Sequence, residues 1–136
     1  MPEIADLGEV MAIAVGPYLT DNVLRYYAGE DLSALRVVRA AAPSIVVYAR
    51  PPEFEATAPI GLTTHSALNG APVTVAVRGE VQDPSWSWTP GPVLLGLDGH
   101  LTQTQPPGIP TLVVIATAIT ADTIIIRIDS PIALEL

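Results

Sequence analysis

The stretch Ala58–Leu101 reads APIGLTTHSALNGAPVTVAVRGEVQDPSWSWTPGPVLLGLDGHL, and it decides the fold class. Val73–Val77 and Val93–Leu97 are short apolar runs that read as strands, the first of them rich in β-branched residues. Asn69-Gly70 precedes the first run and readily takes positive φ, so it predicts a turn. Asp98-Gly99 follows the second and predicts a tight hairpin turn into His100-Leu101-Thr102. Between the runs, Asp83–Pro92 is a stiff connector holding Pro84, Pro90 and Pro92. Trp86 and Trp88 lie two residues apart within it, so on an extended backbone they share a side. Gly79, inside the apolar pattern that runs on to Val81, predicts a bulge in a continuing strand.

The same grammar extends outward. Gly29–Ser33 is a polar turn. Leu35–Ala40 then reads as a strand with Arg36 and Arg39 breaking its apolar run, and Ile45–Ala49 as a compact β-branched one. Ala42-Pro43-Ser44 turns between them, and Pro51-Pro52 stops the second because proline cannot donate to a ladder. Pro59–Leu62 opens a further strand. After the proline-rich loop Gln103–Pro110, Leu112–Ala118 reads as a buried strand and Thr123–Ile128 as the most β-prone run in the chain. Ile132–Leu136 ends the chain as a last strand or an apolar tail. Residues 1–28 differ. Thr20-Asp21-Asn22 fits a helix cap ahead of Val23–Tyr27, with Gly29 as its stop, yet Val23–Tyr27 fits a strand nearly as well. The segment is therefore either the first part of the core or an arm that docks on a neighbouring chain. The expectation is an all-β domain over 29–136, a compact β-sandwich or small barrel of short strands, with residues 1–28 as an N-terminal arm.

Composition narrows the function classes. The 136 residues suit one domain, and 49% of them are hydrophobic, mostly Ala, Val, Ile and Leu. Only one is Phe, so the core should be aliphatic and thin. The formal charge is −8, and the six positive residues are all Arg, spread from Arg25 to Arg127 with no basic patch. That argues against a nucleic-acid partner, which needs phosphate neutralisation. Arg suits fixed interface contacts, although a GC-rich genome explains the missing Lys more simply. With no Cys there is no disulfide framework, thiolate nucleophile or zinc–sulfur site. No apolar run is long enough for a membrane-spanning helix, and the N-terminus lacks the pattern of a signal peptide, so synthesis in the cytoplasm and no membrane partner are expected.

Candidate chemistry is sparse. His65 and His100 would need a nearby Ser or Thr and a carboxylate, such as Ser66 or Asp98, to form a nucleophile–base–acid set. No strained Gly-x-Ser-x-Gly elbow surrounds any Ser, so turn or surface roles are the better reading. Glu80, Asp98 and His100 show no metal-ligand spacing, and no phosphate-cradling glycine loop with its Lys exists. No catalytic residue, metal or cofactor is expected. The Trp pair is either a core plug clasped by its prolines or a contact patch, since Trp is enriched at interfaces. Trp86, Trp88, Tyr18, Tyr26 and Tyr27 are the contact candidates. The runs Val10–Val15 and Ile124–Leu136 hold more aliphatic surface than one small sheet easily hides, which points to a closed oligomer such as a trimer.

From Gly61 to Leu134 the chain resembles small structural proteins of tailed bacteriophages and prophages. Gly70–Val75 matches a Gly-x-Pro-Val-x-Val segment. Trp88–Gly96 is similar to Trp-x-Pro-Gly-x-Pro-Val-x-Leu-Gly, one residue shorter because Pro92 follows Gly91 directly. The GEDLSAL turn at Gly29–Leu35, Leu101–Thr104 and the closing Ile-Asp-Ser-Pro-Ile are similar too. The resemblance implies a non-enzymatic virion protein, made in the host cytoplasm. Its expected partners are itself, as a homotrimer, and other virion proteins such as a major capsid protein or tail proteins. Capsid decoration is the first role implied; a tail-fibre or baseplate module that attaches to a receptor is the other.

Overall fold

The computed structural model describes residues 22–50 and 58–134. The chain is all-β, as its alternating short runs imply, and of the two expected architectures it builds the small barrel, closed by five strands, with a second, five-stranded sheet packed on it.

The barrel takes the first five strands, β1 (Val23–Ala28), β2 (Val37–Ala42), β3 (Ile45–Tyr48), β4 (Pro59–Thr63) and β5 (Pro72–Ala76). They close in the order β1-β3-β2-β4-β5, and every pairing is antiparallel except β1 with β3. The β2–β3 hairpin turns at Pro43-Ser44, where Ser44 adopts φ 65°. Asn69-Gly70 turns as expected, with Gly70 at φ 90° and its N–H donating to the Ala28 carbonyl at 2.7 Å. The barrel interior is filled by Val38, Val46, Val73 and Val75, with Ala28, Leu32 and Ala67 beside them.

The second sheet holds β6 (Gly79–Gln82), β7 (Gly91–Leu95), β8 (Leu101–Thr102), β10 (Val114–Thr120) and β11 (Thr123–Ile126). Its order is β6-β11-β10-β7-β8, antiparallel throughout. Two short strands, β9 (Thr111–Leu112) and β12 (Ile132–Ala133), pair beside it. Its inner face, with Val93, Leu95, Ile115, Ile124 and Ile126, packs on Val37, Leu62 and Ala76 of the barrel. Val37 and Val38 are both fully buried because successive strand residues face opposite ways. Val38 fills the barrel and Val37 fills the layer between barrel and sheet. The two layers therefore share one core.

Three expectations change. The boundary at residue 28 moves, because Val23–Ala28 is β1, hydrogen-bonded between β5 and β3. The strand wins over the helix because β-prone Val and Tyr meet two waiting ladders, whereas so short a helix would have little to hold it. The rest of the expected arm, residues 1–21 with Tyr18, lies outside the described residues. Gly79 does more than bulge a strand. At φ 99° it lies where the chain leaves the barrel after β5 and enters the second sheet as β6. The turn at Asp98-Gly99 is a 3-10 turn over Leu97–Gly99, with Asp98 at φ 51°, rather than a tight two-residue turn.

Candidate functional site

The tryptophans sit on a turn tied down from several directions. The Trp86 N–H donates to the Asp83 carbonyl at 3.1 Å, and the Trp88 N–H donates to the Ala121 carbonyl at 2.7 Å, pinning the connector to the β10–β11 turn. The side chain of Gln103 then acts as a surrogate strand. Its Oε1 accepts from the Thr89 N–H at 3.0 Å, and its Nε2 donates to the Thr89 and Pro92 carbonyls at 2.6 and 3.2 Å. The two indoles meet with centroids 5.7 Å apart and planes tilted by 52°. Both are half-buried against the shared core, so each is in part a plug and in part a surface. Trp88 Nε1 is buried with no hydrogen-bond partner among the described residues. Such a donor costs its desolvation without return.

The tyrosine candidates lie elsewhere, on the barrel. Tyr26 packs toward the barrel core, and Tyr27, one residue on, points outward and is 52% exposed. Tyr27 is flanked in register by Ile45 of β3 and Pro72 of β5, both exposed, giving an apolar row across three strands. Exposed Ala42 and Pro43 adjoin Ile45 in the β2–β3 hairpin. The sequence therefore names five contact candidates, and the fold separates the four it describes into a Trp clasp on the sheet and a Tyr27 row on the barrel. At the C-terminal end, Ile124 and Ile126 are buried in the shared core, which removes them from the surface expected for Ile124–Leu136; Ile125 and Ile132 stay exposed.

His65 and His100 serve the backbone. His65 Nδ1 lies 2.9 Å from the Ser66 carbonyl, and its Nε2 accepts from the Thr74 N–H at 3.2 Å. That places the proton on Nδ1. The imidazole thereby prolongs the β4–β5 ladder beyond Thr63. His100 is exposed on the β7–β8 turn, where its main chain bonds Leu97 and Gly96. No group of three or more His, Asp or Glu side chains among the described residues is placed to hold a metal ion.

Sequence reasoning missed the most connected polar cluster. Arg50 forms a two-pronged contact with Glu30, with Nη1–Oε2 and Nη2–Oε1 both 3.1 Å, while its Nε donates to Asp98 Oδ1 at 2.7 Å. Glu30 Oε2 also accepts from the Tyr48 N–H at 3.0 Å, and the Tyr48 hydroxyl accepts from the Ser33 N–H at 2.7 Å. The guanidinium carbons of Arg36 and Arg50 lie 4.9 and 5.3 Å from the Tyr48 ring centroid, within cation–π range. Arg36 also reaches the Asp98 carbonyl at 3.0 Å. Partial burial pushes the Glu30 carboxyl up, but the Arg50 and Tyr48 hydrogen bonds and the Arg50 charge outweigh it and hold the group below the usual carboxylate range. The reciprocal contact drives Arg50 further up, so both stay charged. The arrangement is a clamp from the barrel to the β7–β8 turn; its cation is already engaged by two carboxylates, which leaves little for an anionic ligand. No local signal reveals it, because Glu30, Arg50 and Asp98 are far apart in sequence.

No family model matches the chain, and no curated protein matches it.

Proposed function

We propose that the chain is a non-enzymatic structural module of a tailed-phage virion, assembling with copies of itself as a trimer on the particle surface, where it decorates and stabilises the capsid. The observation that carries this reading is the row Pro72–Tyr27–Ile45, continued by Ala42 and Pro43. Single exposed apolar residues are ordinary, whereas neighbours aligned on one strand face form the kind of patch that subunits cover. The phage-like segments support it as well, since Gly70–Val75 and Trp88–Gly96 provide the turns and strands β5 and β7 that frame the fold. The test is a Tyr27→Glu/Ile45→Lys chain. Light scattering should report an oligomer for the parent and a monomer for the variant. A monomeric parent, or a variant of unchanged mass, defeats the proposal.

The Trp clasp favours a second reading, a tail-fibre or baseplate contact. Two half-buried indoles on a stapled turn, one with an N–H that has no partner among the described residues, suit a surface that a receptor or fibre completes. Electron microscopy of particles labelled on this protein separates the two. Label on the head supports decoration, and label at the tail tip supports attachment.

A further inference from the structure

Asn69-Gly70 and Asp98-Gly99 each set a side-chain carbonyl carbon ahead of a glycine nitrogen, which no Cβ shields. In an Asn-Gly pair that nitrogen can attack the Asn Cγ. The new N–C bond closes a succinimide ring and the Cγ–N bond of the amide breaks. The glycine N–H proton passes to water, and water returns a proton to the departing ammonia. Water then opens the ring at either carbonyl, leaving aspartate or isoaspartate, in which the main chain runs through the side chain. An Asp-Gly pair forms the same ring with loss of water. The other asparagine, Asn22, precedes Val23, whose branched side chain crowds the nitrogen.

The fold treats the two glycine pairs in opposite ways. At Asp98 the electrophile is held, its Oδ1 accepting from Arg50 Nε at 2.7 Å. Gly99 is buried, and a Cβ there would lie 2.5 Å from the Val37 carbonyl oxygen. At Asn69 the side chain is exposed, and its amide has no hydrogen-bond partner among the described residues. Gly70, at φ 90°, has open space where a Cβ would point. Here it is the nucleophile that is held, because the Gly70 N–H donates to the Ala28 carbonyl at 2.7 Å. The turn is tied on either side by the Asn69 N–H to Asp31 Oδ1 and the Ala71 N–H to the Leu68 carbonyl, both at 2.9 Å. An N–H engaged in this way neither loses its proton nor turns toward Cγ, so the attack waits for the turn to open. Exposed loops open locally at less cost than the whole fold.

We propose that Asn69 is a self-modification site, converting to aspartate and isoaspartate through a succinimide with Gly70, and that the Gly70–Ala28 hydrogen bond is its gate. Each conversion adds a negative charge to a turn that Asp31 anchors, and isoaspartate adds a methylene to the main chain where β5 closes on β1. The change is one-way and records how long the folded chain has existed. The test is peptide mapping by mass spectrometry on the full chain, aged in mildly alkaline buffer with and without guanidinium chloride, beside hydrogen exchange at the Gly70 amide. Both products should form at residue 69 in both states. The native rate should equal the denatured rate divided by the Gly70 protection factor, within about tenfold. Asp31→Ala, which frees the Asn69 N–H, should speed Gly70 exchange and native conversion by the same factor and leave the denatured rate unchanged. Asn69→Gln should give no product at 69, and native Asp98 should gain no isoaspartate. Four results overturn the proposal: an unprotected Gly70 amide, a native rate outside that tenfold window, isoaspartate at 98 ahead of 69, or an Asp31→Ala chain in which exchange and conversion change by different factors.

Discussion

Replacing Ile124 by Ala tests whether barrel and sheet form one cooperative unit. Ile124 is fully buried in the shared core. Its strand, β11, runs between β6 and β10, so neighbours on both sides resist collapse into the space left. Its register partners are Ala118 and Val81, and Ala118 is too small to swing into the gap. Three carbons are removed, at about 0.8 kcal/mol each for lost burial, and the unfilled cavity adds about 1 kcal/mol, giving a cost of about 3 kcal/mol. Against a total stability of roughly 5–15 kcal/mol this is severe. At a slope of about 1.5 kcal/mol per molar urea, the midpoint should fall by about 2 M. Ile125→Ala is the internal control. It deletes the same atoms one residue away, on the opposite face beside Thr117 and Glu80, at a position 40% exposed. It should cost no more than about 1 kcal/mol. Urea unfolding would be followed both by Trp86 and Trp88 fluorescence, which reports the sheet, and by far-ultraviolet circular dichroism, which reports all strands. The two curves should move together. A fluorescence curve that shifts while part of the dichroism signal stays in place would refute the shared core, and equal costs at 124 and 125 would refute the register of β11.

Other positions read different terms. A Cβ at Gly61 would sit 2.2 Å from the Ala76 carbonyl oxygen, whereas one at Gly70, φ 90°, meets nothing within 4 Å. Gly61→Ala should therefore lower the melting temperature sharply, at a cost of about 3 kcal/mol, and Gly70→Ala by only the left-handed backbone cost of about 1 kcal/mol; the reverse order would refute the close approach of β4 and β5. Thr63 is fully buried, its hydroxyl donating to the Ser33 carbonyl at 2.7 Å and accepting from the Arg36 N–H at 3.0 Å. Thr63→Val keeps the volume but strands both groups, so calorimetry should show a loss of about 2 kcal/mol. Because the Glu30 carboxyl is held down in the folded state, its stabilisation is complete above the ordinary carboxylate range and is lost as pH falls through the depressed value. Glu30→Gln should thus lose less stability than the parent between about pH 6 and about pH 3, as read by thermal melts; equal losses would mean the clamp adds nothing.

The strands were legible because their signals are local. β-branched runs, proline stops and the Asn69-Gly70 turn each act over a few residues, and the fold uses them nearly where they stand. What was hidden is long-range. The continuous pattern Val73–Val81 looks like one strand, since nothing between Ala76 and Gly79 says that the second half will pair with β11 instead of the barrel. Of Val37-Val38 a half-buried strand would hide only one, until a sheet on the outside of the barrel gives Val37 a core as well as Val38. Glu30, Arg50 and Asp98 carry no motif because a clamp needs only that the fold bring them together.

The same distinction explains why the site is harder to read than the fold. Tyr26 and Tyr27 are equivalent by composition, and only the closure of β1 against β3 and β5 turns one toward the core and leaves the other in the Pro72–Tyr27–Ile45 row. A contact surface is what remains after the core has taken what it needs. Apolar residues that a closed barrel cannot internalise are the ones left for other chains. Ile124 and Ile126 show the converse, because the sheet takes both inward and only Ile125 of that run stays outside. Under the proposed reading, self-association would draw on apolar side chains the barrel and sheet leave outside, and among the described residues Tyr27, Ile45 and Pro72 stand side by side on adjacent strands.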